Sequence, residues 1–233
     1  MKQYNYYKKI NININNKNQI YHKNLFNNLL NIPEKLFKNL NVIDIGAGSG
    51  DTTIYFLENQ ANVTAVDYIS DYFKFNQVSK LKNKNKTNFQ FIKKDFLKIK
   101  LKKKFDLVCA FGWFFLENNH KKVLKKFINL TNKKGVIVLS YPDIYGSMLE
   151  ICKKAVVIKL KNFGINDDLI LKYSKIIFLD SYKKLKNSRE FDVWINDCLL
   201  SPFLKTKYLI DTEKLIKYFK KQNFENYSSS PRI

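Results

Sequence analysis

The stretch NVIDIGAGSGDTTIYFLENQ, residues 41–60, changes character twice. It starts as a short apolar run, passes a turn with glycine at 46, 48 and 50, and continues with helical spacing. A short apolar run bounded by glycine reads as a buried strand, so the segment predicts strand, turn and helix. The pattern then recurs. ANVTAVDY (61–68) reads as a second strand and SDYFKFNQVSKLK (70–82) as a second helix. NFQFIKKD (88–95) and FDLVCAFG (105–112) read as the third and fourth strands, NNHKKVLKKFINLT (118–131) as a helix, and KGVIVLSY (134–141) as a fifth strand. Strands alternating with helices of this length predict an α/β fold: a doubly wound, mostly parallel sheet with helices on both faces. Such sheets bind ligands at the C-terminal ends of their strands.

The flanks of this core, residues 41–142, are helical. In residues 1–40, Leu25, Phe26, Leu29, Leu30, Leu36, Phe37 and Leu40 recur at three to four, which predicts two short helices broken at Pro33. Residues 143–203 form a helical insertion after strand five, with apolar positions such as Met148, Cys152, Val156, Ile176, Trp194 and Leu199, ended by Pro202. An insertion there lies over the ligand edge and reads as a lid or substrate domain, with a packing elaboration as the alternative. Residues 204–233 complete the core with a helix, DTEKLIKYFKKQ (211–222), and a candidate sixth strand in NFENYSSSPRI (223–233).

The chain has 42 basic and 20 acidic residues, a formal charge of +22. That excess suggests an anionic partner. Only Arg189 and Arg232 are arginines, however, and readers of nucleic acid favour the bidentate guanidinium. Lys, Asn, Ile, Phe and Tyr share A/T-rich codons, so genome bias accounts for the lysines at least as well. The reading is that nucleic acid is not the partner, while the surface still attracts phosphorylated small molecules. The three cysteines, Cys109, Cys152 and Cys198, lack metal-ligand spacing. No leader-like apolar segment follows the basic N-terminus, and the longest apolar run, Leu107–Leu116, is too short to span a bilayer. These features point to a cytoplasmic protein.

The glycine turn carries Asp44 on one side and Asp51 on the other. A dinucleotide turn wants G-x-G-x-x-G, and here the third slot is Asp51, with Gly50 one residue early. A P-loop is excluded because no Gly-Lys-Ser/Thr follows. Carboxylates beside a helix N-terminus oppose a pyrophosphate and suit a cationic ligand without phosphate, such as S-adenosylmethionine. VIDIGAGSGDTT then resembles motif I of the class I (Rossmann-like) S-adenosylmethionine-dependent methyltransferases. WINDCLLSPF (194–203) is similar to segments of small-molecule and sugar-modifying members. The resemblance implies cofactor contacts from Asp44, Gly46, Ala47 and Gly48 in the turn. It also implies an acid after strand two for the ribose hydroxyls, offered by Asp67 with Tyr68 beside it, 23 residues after Asp44. After strand three it implies an acid for the adenine amino group, offered by Asp95, with Phe96 against the ring. Phe111 and Gly112 would meet the methionine end. Each has an alternative: Asp67 a turn residue, Asp95 a solvated turn with an internal ion pair, Asp51 a helix N-cap, Phe96 a core residue. The family's sheet also has sixth and antiparallel seventh strands; here the sequence stops after the candidate sixth, so the seventh is either missing, cut off or replaced by the helical insertion.

Methyl transfer is an in-line displacement, catalysed mainly by alignment. A hydroxyl acceptor also needs a base. His120, at the start of the helix after strand four, is the first candidate, and Asp143 and Tyr141, after strand five, follow. His22 reads as a surface residue. YNYY (residues 4–7) is a candidate aromatic cover for the cofactor. The Asn/Asp-Pro-Pro-Tyr/Phe motif of nucleic-acid amino-methyltransferases is absent after strand four, where AFGWFF stands. The expectation is O- or N-methylation of a small metabolite or glycan precursor, including phosphorylated acceptors and nucleotide sugars. The alternatives are an RNA or protein methyltransferase and a non-catalytic cofactor-binding module.

Overall fold

The computed structural model of the chain describes residues 17–71, 73–117, 119–184, 190–201 and 209–230. The YNYY segment and Pro202 lie outside them. The chain divides into two compact units, Asn16–Tyr141 with Glu213–Ile233, and Met1–Asn15 with Pro142–Thr212.

The larger unit holds five strands: β1 Asn41–Ile45, β2 Asn62–Asp67, β3 Phe89–Lys93, β4 Phe105–Ala110 and β5 Thr131–Leu139. They pair in the order β3-β2-β1-β4-β5, every pair parallel. The order reverses beside β1, which creates the switch-point crevice at the C-terminal ends of β1 and β4. β1 is central and buried along nearly its whole length, which explains why apolar residues dominate it. In register, Asp44 lies opposite Ala65 of β2 and Cys109 of β4, so a carboxylate sits inside the sheet.

Helices of this unit include α1 Lys17–Lys23, α2 Asp51–Glu58, α3 Phe75–Asn85 and α4 His120–Leu130. In α4, Val123, Leu124, Phe127 and Leu130 are buried at helical spacing, and the side chain of Asn119 caps the helix by accepting from the Lys122 N–H. On the other face of the sheet an aromatic cluster ties the N-terminal segment to α2. Phe26 stacks on Tyr55 with centroids 5.4 Å apart and meets Phe37 edge-on at 5.2 Å. Offset and edge-on pairs of this kind add roughly 0.5–1.5 kcal/mol each beyond their burial.

The smaller unit contains α5 Met148–Asn162, α6 Asp167–Lys184, α7 Phe191–Trp194 and a π-helical turn, Ile195–Leu200. Val157, Ile170, Phe178, Phe191, Trp194, Ile195 and Leu199 form its core. α8, Thr212–Lys220, follows. No helix among the described residues is long and apolar enough to cross a membrane.

Three expectations need correction. Residues 223–230 form no strand, so the described sheet ends at five. The tail instead binds by side chains to the N-terminal segment: the Tyr227 hydroxyl donates to the Asn31 carbonyl at 3.1 Å and the Ser228 hydroxyl to that of Leu29 at 3.4 Å. The helix expected from residue 70 begins only at Phe75, because Phe73 is buried against the glycine turn and the Lys74 N–H donates to the Ser49 carbonyl. Pro33 does not separate two α-helices. α1 runs on as a π-helical turn, Asn24–Leu29, and Pro33 caps a single 3-10 turn, Glu34–Phe37.

Candidate functional site

The turn after β1 is pinned to the end of β2. The N–H groups of Gly46 and Ala47 donate to the Val66 carbonyl at 2.8 and 3.3 Å, and the Gly48 N–H donates to Asp67 Oδ2 at 2.9 Å. The other oxygen, Oδ1, accepts from the Ile69 N–H at 2.9 Å. Glycines 46, 48 and 50 all have φ between 54° and 88°, which a side chain resists. They differ in what surrounds them. A Cβ on Gly46 would stand 2.6 Å from Trp113 Cβ, and one on Gly50 would stand 2.8 Å from the Phe73 ring. Among the described residues, a Cβ on Gly48 would meet nothing nearer than 3.9 Å. Two of the glycines are thus demanded by the protein's own packing, and Gly48 leaves open space above the backbone.

The two aspartates flanking the turn do not act as bare charges. Asp44 is 2% exposed and accepts from the Thr53 hydroxyl at 2.7 Å. Burial, opposed by Thr53 and reinforced by the charge of Asp67, pushes its pKa up to about 7. Asp51 is the first residue of α2, not its cap. It accepts from the Ser49 hydroxyl at 2.5 Å and pairs with the Lys74 ammonium at 2.7 Å. Exclusion of a pyrophosphate therefore rests on a different feature. The Gly48 N–H, which a phosphate oxygen would need, is already taken by a carboxylate.

Asp44 yields a pH-dependent expectation. The folded chain keeps a proton that the unfolded chain, with a carboxyl near 3.8, releases. Its contribution to stability is complete below about pH 4 and is lost as pH rises through about 7, by roughly 4 kcal/mol at most. Asp44→Asn still accepts from Thr53 but cannot titrate. In urea unfolding, the stability of Asp44→Asn relative to wild type should rise between pH 5 and pH 8, and an unchanged difference would refute the account.

Asp67 is raised above its ordinary range by burial, with the Ile69, Gly48 and Tyr68 N–H groups opposing. Tyr68 is 48% exposed. Its phenol is raised by burial and then by the charges of Asp67 and Glu117. Asp95 accepts from the Leu97 N–H at 2.9 Å, which caps the turn Phe96–Lys98, and its other oxygen lies 3.9 Å from Lys98. This is the ion-paired turn, and it leaves nearly half of the Asp95 side chain exposed.

Phe96 is 4% exposed and meets Trp113 edge-on at 5.5 Å and Phe127 at 5.5 Å. It is a core residue and its faces are not open to a ligand ring. Lys126 of α4 fastens the same turn: its ammonium donates to the carbonyls of Phe96 and of Ile99, the latter at 2.6 Å, and lies 4.5 Å from the centre of the Phe96 ring. Phe111 faces the N-terminal segment, 6.2 Å from His22 and 6.0 Å from Phe26, while Gly112, with φ 68°, has no atom of the described residues within 4 Å of a Cβ position.

Among the catalytic candidates, His120 and Tyr141 flank one ring: Phe114 lies 5.1 Å from His120 and 6.3 Å from Tyr141. Asp143 has a structural role instead. Oδ1 accepts from the N–H groups of Tyr145 and Gly146, both at 2.8 Å, and Oδ2 from the Thr212 hydroxyl at 2.7 Å. The Gly146 N–H first, then Thr212, hold its carboxyl below the ordinary range, which is the wrong direction for a base. His22 is not a surface residue. It is 7% exposed, stacks on Tyr55 at 5.4 Å, and its Nε2 lies 3.1 Å from the Thr52 hydroxyl.

Two residues at the ligand edge were missed in the sequence. Trp113 roofs Gly46 and touches Phe96, joining the turns after β1 and β3. One of only two tryptophans, it stands in a run that otherwise reads as plain apolar sequence. Glu117 is raised by burial and by the charge of Asp95, and is drawn back by His120. No local pattern marks it.

S-adenosylmethionine fits these residues. Both Asp67 oxygens accept from the backbone, and the carboxylate, with about four acceptor sites, keeps capacity for ribose hydroxyls. Gly48 and Gly112 leave the backbone open on the same edge of the sheet.

Residues 36–164, more than half of the chain, match the family model described as a methyltransferase domain. No curated protein matches in sequence. Among solved structures, PKMT2 from Rickettsia typhi in complex with AdoHcy is similar over 89% of this chain and 43% of its own, with 17% identity and a TM-score of 0.62. A second structure of PKMT2 from Rickettsia typhi gives 17% identity and a TM-score of 0.59 over 82% of this chain and 40% of its own. The plantazolicin methyltransferase BpumL in complex with SAH is 16% identical over 92% of this chain and 70% of its own, with a TM-score of 0.51. The chain thus spans less than half the length of the Rickettsia protein, and at these identities the likeness is one of fold. Together with the match over residues 36–164, it shows that the chain belongs to the methyltransferase-domain family, the class I S-adenosylmethionine-dependent methyltransferases.

Proposed function

We propose that this chain methylates an oxygen or nitrogen of a small acceptor, a metabolite or glycan precursor bearing an anionic group such as a phosphate. The observation that carries the reading is the bond between Asp67 and the Gly48 N–H beneath an open backbone, which presents a carboxylate to a diol and denies the turn to a pyrophosphate. S-adenosylmethionine, when bound, supplies a methyl group on a sulfonium. The chain's own residues position and deprotonate. Gly46, Ala47 and Gly48 shape the floor, Asp67 accepts from the ribose, and Tyr68 and Asp95 stand by the adenosine. Trp113 holds the Gly46 turn, and Gly112 leaves room at the methionine end. His120 takes the acceptor's proton, with Tyr141 across Phe114 and the Glu117 carboxylate within electrostatic range of the imidazole. The helical unit, inserted between β5 and α8, is the acceptor-binding part.

The test begins with calorimetry using AdoHcy, followed by a mass-shift screen of phosphorylated metabolites and nucleotide sugars for the gain of one methyl. With an acceptor identified, His120→Ala should lower kcat about 100-fold and leave AdoHcy affinity unchanged. An unchanged kcat removes His120 as the base, and failure of AdoHcy to bind removes the cofactor reading altogether.

A further inference from the structure

The core of the helical unit contains two buried polar groups without a hydrogen-bond partner among the described residues. Lys153 of α5 is 5% exposed and Ser174 of α6 is 1% exposed. Neither the Lys153 ammonium nor the Ser174 hydroxyl has a hydrogen-bond partner among the described residues. Buried donors in native proteins are paired in the great majority of cases, and leaving one unpaired costs about 1–3 kcal/mol, more when it is charged.

The two groups also stand at similar levels in the hairpin. α5 and α6 are joined by residues 163–166, so Lys153 stands ten positions before this turn and Ser174 eight positions after it. At ~1.5 Å of rise per residue, their levels differ by about 3 Å along the paired helices. Both residues fall on the faces that α5 and α6 bury, with Val157 and with Ile170 and Phe178 respectively.

The neighbours of Lys153 contact its ammonium without satisfying its donors. Glu150 approaches to 3.5 Å, an ion pair without a hydrogen bond, and keeps 30% of its side chain exposed. The Trp194 ring centre lies 5.0 Å from the ammonium, in cation–π range. Neighbouring Lys154 is engaged elsewhere, donating to the Ser201 carbonyl at 2.8 Å. Three ammonium N–H groups and one hydroxyl, desolvated against tryptophan and aliphatic side chains, are complementary to an oxygen-rich group carrying negative charge.

We propose that the helical unit contains an oxyanion-recognition site built on Lys153 and Ser174, which binds the phosphate or carboxylate of the methyl acceptor. It rests on the reading of this unit as the acceptor-binding part. In the bound state the oxyanion accepts from the Lys153 ammonium and the Ser174 hydroxyl, Trp194 covers the lysine, and Glu150 turns its carboxylate to water.

The test uses the full chain, with inorganic phosphate and acetate titrated at constant ionic strength against chloride, followed by calorimetry and thermal shift. Wild type should bind one of the two saturably. Lys153→Met should weaken that binding at least about 10-fold, as expected for loss of a charged hydrogen bond, with Ser174→Ala weakening it about 3- to 10-fold. Stronger binding of phosphate than of acetate identifies a phosphoester, and the reverse a carboxylate. If Lys153→Met does not fold, Ser174→Ala and Lys153→Arg carry the comparison. Equal affinity in wild type and variants overturns the proposal, as does a wild type that binds AdoHcy but neither anion. A wild type that binds the anion through Lys153 but not AdoHcy leaves this site standing and removes the methyl-transfer reading instead.

Discussion

Asp67→Ala should weaken AdoHcy binding by at least about 100-fold. Two ribose hydroxyls donating to one carboxylate make two charge-assisted bonds, each worth about 1.5–3 kcal/mol, and the substitution removes both. It also releases the Gly48 N–H, so the floor of the site loses its tie to the end of β2. Stability should change far less than affinity. Burial already disfavours the ionised carboxylate, and removing that cost offsets part of the two lost backbone bonds. Asp67→Asn sharpens the comparison, since its amide can accept from only one of the Gly48 and Ile69 N–H groups and presents a donor to the other. Asp95→Ala should cost no more than about 10-fold, because that carboxylate caps its own turn and is half in solvent. Isothermal titration decides: Asp67→Ala within threefold of wild type would remove the ribose assignment.

The sheet was legible in the sequence for a physical reason. Central strands buried on both faces are dominated by apolar residues, and NVIDI, NVTAVD and FDLVCA all are, with one aspartate apiece. The failed strand prediction at residues 223–230 lies where that signal is weakest, in a polar tail whose partners are backbone carbonyls of Leu29 and Asn31, far away in the chain. The glycine turn was legible because its backbone shape demands a residue type, and the place of Asp67 at the end of β2 was legible from the strand-helix-strand spacing. The site was not legible where long-range contacts decide a side chain's state. Nothing near Asp51 in sequence announces Lys74, and nothing near Asp143 announces Thr212. His22 reads as a surface residue because its neighbours Tyr21 and Lys23 are solvated, yet Tyr55 and Phe111 enclose its ring. Negative charge beside the glycine turn does point to the right cofactor class, but the carboxylate that takes the Gly48 N–H from a pyrophosphate is Asp67 on the next strand.

The glycines of the turn offer the second large effect, because two residues of the same type should fail in opposite ways. At Gly46, φ is 73° and a Cβ would stand 2.6 Å from Trp113 Cβ. The left-handed backbone alone costs an added side chain about 1–2 kcal/mol, and the clash falls on an atom next to the Trp113 backbone, which cannot swing away. Gly46→Ala should therefore lose about 3–5 kcal/mol of stability, a fall in Tm of about 10 °C for a chain of this size. At Gly48, φ is 54° and the nearest atom to a Cβ would be the Gly46 carbonyl oxygen at 3.9 Å. Gly48→Ala should lose only the backbone term, about 1–2 kcal/mol, yet weaken AdoHcy at least about 10-fold by filling the open space above the turn. Trp113 separates strain from occlusion. Trp113→Ala keeps the clashing Cβ and should not rescue Gly46→Ala, whereas Trp113→Gly removes it and should return part of the lost stability. Thermal melts and AdoHcy titrations of the single and double variants test this together. If both glycine variants melt alike and bind alike, Gly48 is one more packing residue and the open face of the turn is not where the cofactor lies.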